Sequence, residues 1–156
     1  MAVYQLHKEQ KIPASVDEVW AFISSPKNLS RITPKNMGFE ITSLYLKEKM
    51  YPGQMITYKV KPIAGIKTTW VTEITHVEDR HYFVDEQRRG PYKLWHHEHW
   101  IHPIKNGVLM EDLITYQPPL KFMGSIANSL IIKNKLEKIF EYRKNAVELI
   151  FGAYKE

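Results

Sequence analysis

An α+β fold, in which a curved antiparallel sheet of about seven strands wraps one long C-terminal helix, follows from three features of the sequence. Apolar residues recur with a period of two from Phe39 to Tyr116. The breaks between these runs are too short for helical crossovers, so the strands form an antiparallel meander. After Pro118-Pro119 the spacing turns helical and stays so.

Residues 3–12 place apolar side chains at Tyr4, Leu6 and Ile12, the spacing of a strand with one buried face, although Lys8 and Gln10 interrupt it. Pro13 ends the run. Ser15-Val16-Asp17-Glu18 reads as a capping box, so a helix starts there, carries Val19, Trp20, Phe22 and Ile23 on a broad apolar face, and stops at Ser24-Ser25-Pro26. A second short helix spans about 27–32 and ends before Pro34. Strands then follow around Phe39 and Ile41, around Ile56, Tyr58 and Val60, and around Trp70, Thr72 and Ile74. Three more cover 82–88, 92–102 and 108–116. Turn residues separate them at Pro52-Gly53, at 62–65 and at Glu78-Asp79-Arg80. In the last helix, Ile126, Leu130, Leu136, Ile139, Phe140, Val147 and Ile150 fall on or near one stripe, and Gly152 supplies a stop. Nothing in the 156 residues suggests a repeat or a linker, so one domain is expected over 1–156.

Composition excludes several classes of function. There is no cysteine, which removes thiol nucleophiles, disulfides and sulfur-ligated zinc, and fits a cytoplasmic location. No apolar run approaches the roughly 18 residues of a membrane span, and the first residues lack the apolar core of a secretory signal, so no membrane insertion is expected. The net charge of +5 is spread along the chain. Its densest group, Lys133, Lys135, Lys138, Arg143 and Lys144, is interleaved with Glu137 and Glu141 as on a solvated helix face, so no nucleic-acid partner is expected. A monomer or weak homodimer is the expected state.

The order of elements, one strand, short helices, a meander and a long helix, resembles the helix-grip fold of the START-like superfamily, also called SRPBCC. Within it, the chain is similar to the bacterial branch grouped with polyketide cyclases and dehydrases. The resemblance runs over nearly the whole chain. It rests on Ile12-Pro13-Ala14 leading to Val19-Trp20-Ala21-Phe22, on Asn28-Leu29-Ser30-Arg31-Ile32-Thr33-Pro34, and on Phe83-Val84-Asp85-Glu86-Gln87 with Gly90-Pro91-Tyr92. Trp95-His96-His97-Glu98-His99 and the run from Leu136 to Arg143 complete it. It implies a cavity between sheet and helix, and places Phe83, Asp85 and Gln87 facing inward. The superfamily holds carriers, cyclases and regulators alike, so the fold leaves the function open.

The richest chemistry lies in 85–116, where Asn106-Gly107 reads as the centre of a type I′ hairpin pairing Lys105 with Val108. That register sets His99 opposite Ile114 and His97 opposite Tyr116, and a turn one pair longer or shorter on each side keeps the same residues together. One face then carries Trp95, His97, His99 and Ile101 beside Val108, Met110, Asp112, Ile114 and Tyr116. The other shows Tyr92, Leu94, His96, Glu98, Trp100 and His102. The first face gathers the apolar residues of the second strand, and the resemblance also turns it inward.

Several readings fit this face. Asp112 and Tyr116 can satisfy two buried imidazoles. The same groups can hold the polar end of a mostly apolar ligand that packs on Trp95, Ile101, Met110, Ile114, Phe83 and Phe140, with Asp85, Gln87 and Arg143 as further contacts. His97 and His99 can chelate a metal with Asp112 as third ligand. In an enzymatic version His97 or His99, oriented by Asp112, takes a proton α to a carbonyl while Tyr116 or Arg143 steadies the oxyanion, as a polyketide cyclase or dehydratase requires. A regulatory module acting through exposed Tyr92 and Trp100 is a further possibility. The expected function is binding or transport of a small hydrophobic molecule, lipid-like or aromatic and polyketide-like, without catalysis, metal or cofactor.

Overall fold

A computed structural model describes residues 2–62, 65–118 and 126–155, with backbone alone at 126–129. Strand β1 (Tyr4–Ile12) leads to helix α1 (Val16–Ile23) and to two 3-10 helices, Pro26–Arg31 and Lys35–Met37. Strands β2 (Glu40–Ile41), β3 (Gln54–Val60), β4 (Thr68–Glu78), β5 (Tyr82–Arg89), β6 (Leu94–Ile104) and β7 (Gly107–Gln117) follow, and α2 (Ile126–Phe151) completes the fold. The strands form one antiparallel sheet in the order β1-β7-β6-β5-β4-β3-β2. Sequential strands are neighbours throughout, as a meander requires, and only β1 crosses to pair with the last strand. The sheet curves around α2, whose Ile132, Leu136, Phe140 and Val147 are buried against it. Among the described residues no helix is long and apolar enough to cross a membrane.

Local chemistry accounts for the entry into this fold. Ser15 Oγ accepts from the Glu18 amide, and Glu18 Oε2 accepts from the Ser15 amide at 2.9 Å, which caps α1 on both sides of its first turn. The helix buries Val19, Trp20, Phe22 and Ile23. Lys8 and Gln10 do belong to the inner face of β1. They are tolerated there because α2 supplies their partners: Lys8 pairs with Glu137, and Gln10 Nε2 donates to the Lys144 carbonyl at 2.9 Å. At the far end Gly152, with φ 94°, closes α2 by donating its amide to the Glu148 carbonyl.

Four details depart from the sequence reading. In the β6–β7 hairpin Ile104 pairs with Gly107, so Lys105 and Asn106 form the turn and the register slides by two residues. Asn106 takes a positive φ of 64°, while Gly107, with a near-extended φ of 159°, belongs to β7. The glycine is required there for room rather than for a turn angle, because a Cβ at Gly107 would collide with the Ile12 carbonyl. Tyr92 is not on the outer face. It precedes β6, is buried, and is held by Gln87, whose Nε2 donates to the Tyr92 carbonyl at 2.7 Å and whose Oε1 accepts from the Tyr92 amide at 3.2 Å. It therefore offers no docking surface beside Trp100, which packs on Tyr82 at 4.3 Å. Leu130 is 52% exposed and lies off the buried stripe, a place taken by Ile132, while the side chain of Ile126 lies outside the described residues. Finally, an unexpected turn of 3-10 helix at Lys35–Met37 ends in Gly38, whose φ of 55° suits the left-handed conformation glycine adopts without penalty.

Candidate functional site

The two-residue slide in register preserves pleat parity, so the expected face survives intact. His97, His99, Ile101, Val108, Met110, Asp112, Ile114 and Tyr116 are all buried on the inner side, with Trp95 partly so. The slide also changes who meets whom, because Asp112 now lies directly across from His99, and Ile114 across from His97.

Four side chains from three strands interlock here. Asp112 Oδ1 lies 2.9 Å from His97 Nε2 and 3.0 Å from His99 Nδ1. Asp85, on the neighbouring strand β5, places Oδ2 2.7 Å from His99 Nε2 and 3.5 Å from His97 Nδ1. The two rings lie 3.7 Å apart between the carboxylates. Arg143, reaching down from α2, brings Nη1 to 3.5 Å from Asp112. Arg143 thus pairs with Asp112.

Burial opposes charge on every member, and partners decide which members keep it. Desolvation would raise Asp112, yet Arg143 and the hydrogen bonds from both histidines hold its carboxyl well below the usual range. Asp85 is likewise held low, against burial, by His99 and His97. Burial and the neighbouring His99 charge push His97 down to about 4. His99 is raised, because its bonds to Asp112 and Asp85 outweigh desolvation. His99 is therefore the ring that takes the proton. With His99 protonated, two carboxylates are matched by one imidazolium and one guanidinium. Neutral His97 donates from Nε2 to Asp112, so its Nδ1 presents a lone pair on the side of Asp85.

This cluster closes one end of a cavity of about 160 Å³ between sheet and helix. Among the predicted residues Phe83, Asp85, Trp95, His97, His99, Phe140 and Arg143 line it. Gln87, Ile101, Met110, Asp112, Ile114 and Tyr116 do not. Gln87 is occupied in holding Tyr92, and the others lie deeper in the sheet core, with Asp112 acting on the site through the histidines and Arg143. Further lining comes from β3, β4 and the loop before β6: Tyr58, Trp70, Thr72 and Tyr92, which sequence reasoning left out. Tyr58 stacks on Trp70 at 5.9 Å, and Trp70 meets Trp95 edge-on at 5.3 Å. The period-two pattern at Tyr58 and Trp70 was the available signal, since the inner face of a curved sheet must meet the same hollow. Two donors on this lining, Trp70 Nε1 and Arg143 Nε, are buried without a hydrogen-bond partner among the described residues.

The geometry also reassigns the metal reading. Ligand atoms of Asp85, His97 and His99 lie within 4.8 Å of one another, so Asp85 and not Asp112 is the third possible ligand. The 2.7 Å between Asp85 and His99 is a hydrogen-bond distance.

No protein-family model matches the sequence, and no curated protein matches it. Solved structures do. A START superfamily protein from Mycobacterium smegmatis superposes with a TM-score of 0.69 at 15% identity, covering 94% of this chain and 98% of that one. Protein CV1439 from Chromobacterium violaceum gives 0.71 at 9% identity over 96% and 99%. Ara h 8.0201 gives 0.58 at 13% identity over 94% and 98%. The chain therefore has the START-like helix-grip fold. At such identities fold is what is shared, and the role of the site rests on its own residues.

Proposed function

We propose that the protein binds, and carries without altering, a small and mostly apolar molecule in the cavity between sheet and α2. The observation that carries this reading is the pair of unpartnered donors, Trp70 Nε1 and Arg143 Nε, on the lining of an otherwise aromatic and aliphatic hollow. A buried donor left unpaired costs about 1–3 kcal/mol, which a ligand acceptor recovers. At about 160 Å³ the hollow matches the size of a cavity that takes one aromatic ring. An aromatic or polyketide-like ring with a carbonyl or hydroxyl at its inner end fits both features. The absence of cysteine supports a cytoplasmic site of action. Native mass spectrometry after gentle purification tests the reading. A retained ligand, or a thermal shift with small aromatic ketones, is expected; neither being seen would sink it.

A second reading, a cyclase or dehydratase, is favoured by one observation. His97 stays neutral beside a protonated His99 and Arg143, which is the arrangement of a base next to cationic oxyanion partners. Here the Nδ1 lone pair of His97 takes the proton α to a ligand carbonyl. His97→Gln would abolish turnover and leave binding within a few-fold; turnover that persists excludes this chemistry.

A further inference from the structure

We infer that the ligand is an anion, an amphiphile whose apolar body enters the cavity while its carboxylate or phosphate stays at the outer end among lysines. The inference rests on the cavity reading above but is carried by different residues. A wider hollow of about 790 Å³ adjoins the cavity and shares Met37 and Ile139 with it. Lys35, Lys61, Lys135 and Lys138 line it with Asn36 and Tyr142, and no described lining residue is a carboxylate.

Three elements converge to gather these ammonium groups. Lys35 opens the second 3-10 helix, and Lys61 follows β3 with its amide bonded to the Met37 carbonyl at 2.8 Å, which ties the two segments together. On α2, Lys135, Lys138 and Tyr142 follow three- and four-residue spacing around Ile139, so they share its face of the helix. None of the four lysines has an ion-pair partner among the described residues, whereas Lys8 and Lys67 elsewhere are paired with Glu137 and Glu40. The stretches 63–64 and 119–125 contain no Asp or Glu. Four like charges at one opening repel one another, and an anion relieves that repulsion while the shared field draws it in.

The inner end fixes the orientation. The Asp85, Asp112, His99 and Arg143 charges already balance there, and a ligand anion would face Asp85 directly. A neutral acceptor suits the inner donors, and the charge belongs outside.

Three probes with one apolar body separate the possibilities: 4-phenylbutyrate, 4-phenylbutanol and 4-phenylbutylamine, titrated calorimetrically at about 20 and about 200 mM salt. The butyrate is expected to bind about tenfold more tightly than the alcohol and the amine most weakly, with the gap narrowing at high salt. The pair Lys61→Gln and Lys138→Gln, in one chain, closes the gap and leaves the alcohol unchanged. Leu136→Trp, which fills the cavity from α2, abolishes binding of both. Equal affinity for butyrate and alcohol would overturn the anion assignment and spare the cavity reading. Butyrate binding that survives Leu136→Trp would also overturn it, as surface attraction alone. Failure of all three probes to bind counts against cavity and anion alike.

Discussion

Asp112 faces His99 directly across the β6–β7 ladder, and its Oδ1 lies 3.0 Å from His99 Nδ1 while also receiving His97 and Arg143. One carboxylate oxygen thereby fixes three cavity-wall side chains that come from two different elements.

Removing that charge leaves an imidazolium and a guanidinium buried with only Asp85 to balance them. Asp112→Asn is expected to destabilise the protein by about 3–5 kcal/mol in urea denaturation, the range for a broken buried pair. His99 would lose its proton more readily, so the loss should shrink as the pH rises.

The two histidines give opposite signs of pH dependence. The folded pKa of His97, about 4, lies below its ordinary value of 6.5, so the unfolded chain takes the proton first and stability falls as pH drops from about 6.5 to about 4. The full effect is on the order of 3 kcal/mol. His99 is raised, so its contribution is complete below its ordinary value and is lost as pH rises through its folded value. Urea melts of the parent and His97→Gln across this window provide the check: the parent should lose stability relative to the variant on acidification.

Gly107→Ala sets a Cβ against the Ile12 carbonyl where β7 meets the end of β1. A destabilisation of about 1–3 kcal/mol is expected, read as a lower Tm. Asn106→Gly, which meets the same hairpin at its positive φ, should stay within about 0.5 kcal/mol of the parent.

Ser15→Ala removes the side-chain half of the α1 cap and should cost about 1 kcal/mol in thermal denaturation. Binding in the cavity should not change, since Ser15 lies apart from the lining residues.

The sheet and α1 were legible because their signals are local: period-two runs, a capping box, proline stops. The shared face of His97, His99 and Asp112 was legible despite a misplaced turn, because a slide of two residues preserves parity. The turn itself misled because Gly107 is required by its neighbour Ile12, a contact between residues far apart in sequence. Which face residues reach the hollow was also hidden. Ile101, Met110 and Ile114 point the same way as His97, but how the sheet bends over α2 determines that Tyr58 and Trp70 reach the hollow instead. Tyr92 lay beyond reach because the loop at Gly90-Pro91 breaks the parity of the strand behind it, and a Gln87 clamp sets its position.

The pairing of β1 with β7, from Tyr4 opposite Tyr116 to Ile12 opposite Val108, has a consequence for how the chain acquires its shape. β1 is made well before β7 and meets that partner only when the rest of the sheet has been made. Until then its backbone donors and acceptors stay available to other chains, and the loop it must close is among the longest in the molecule. Refolding governed by so distant a contact belongs to the slow, millisecond-to-second class, and the wait for β7 is the interval in which aggregation competes.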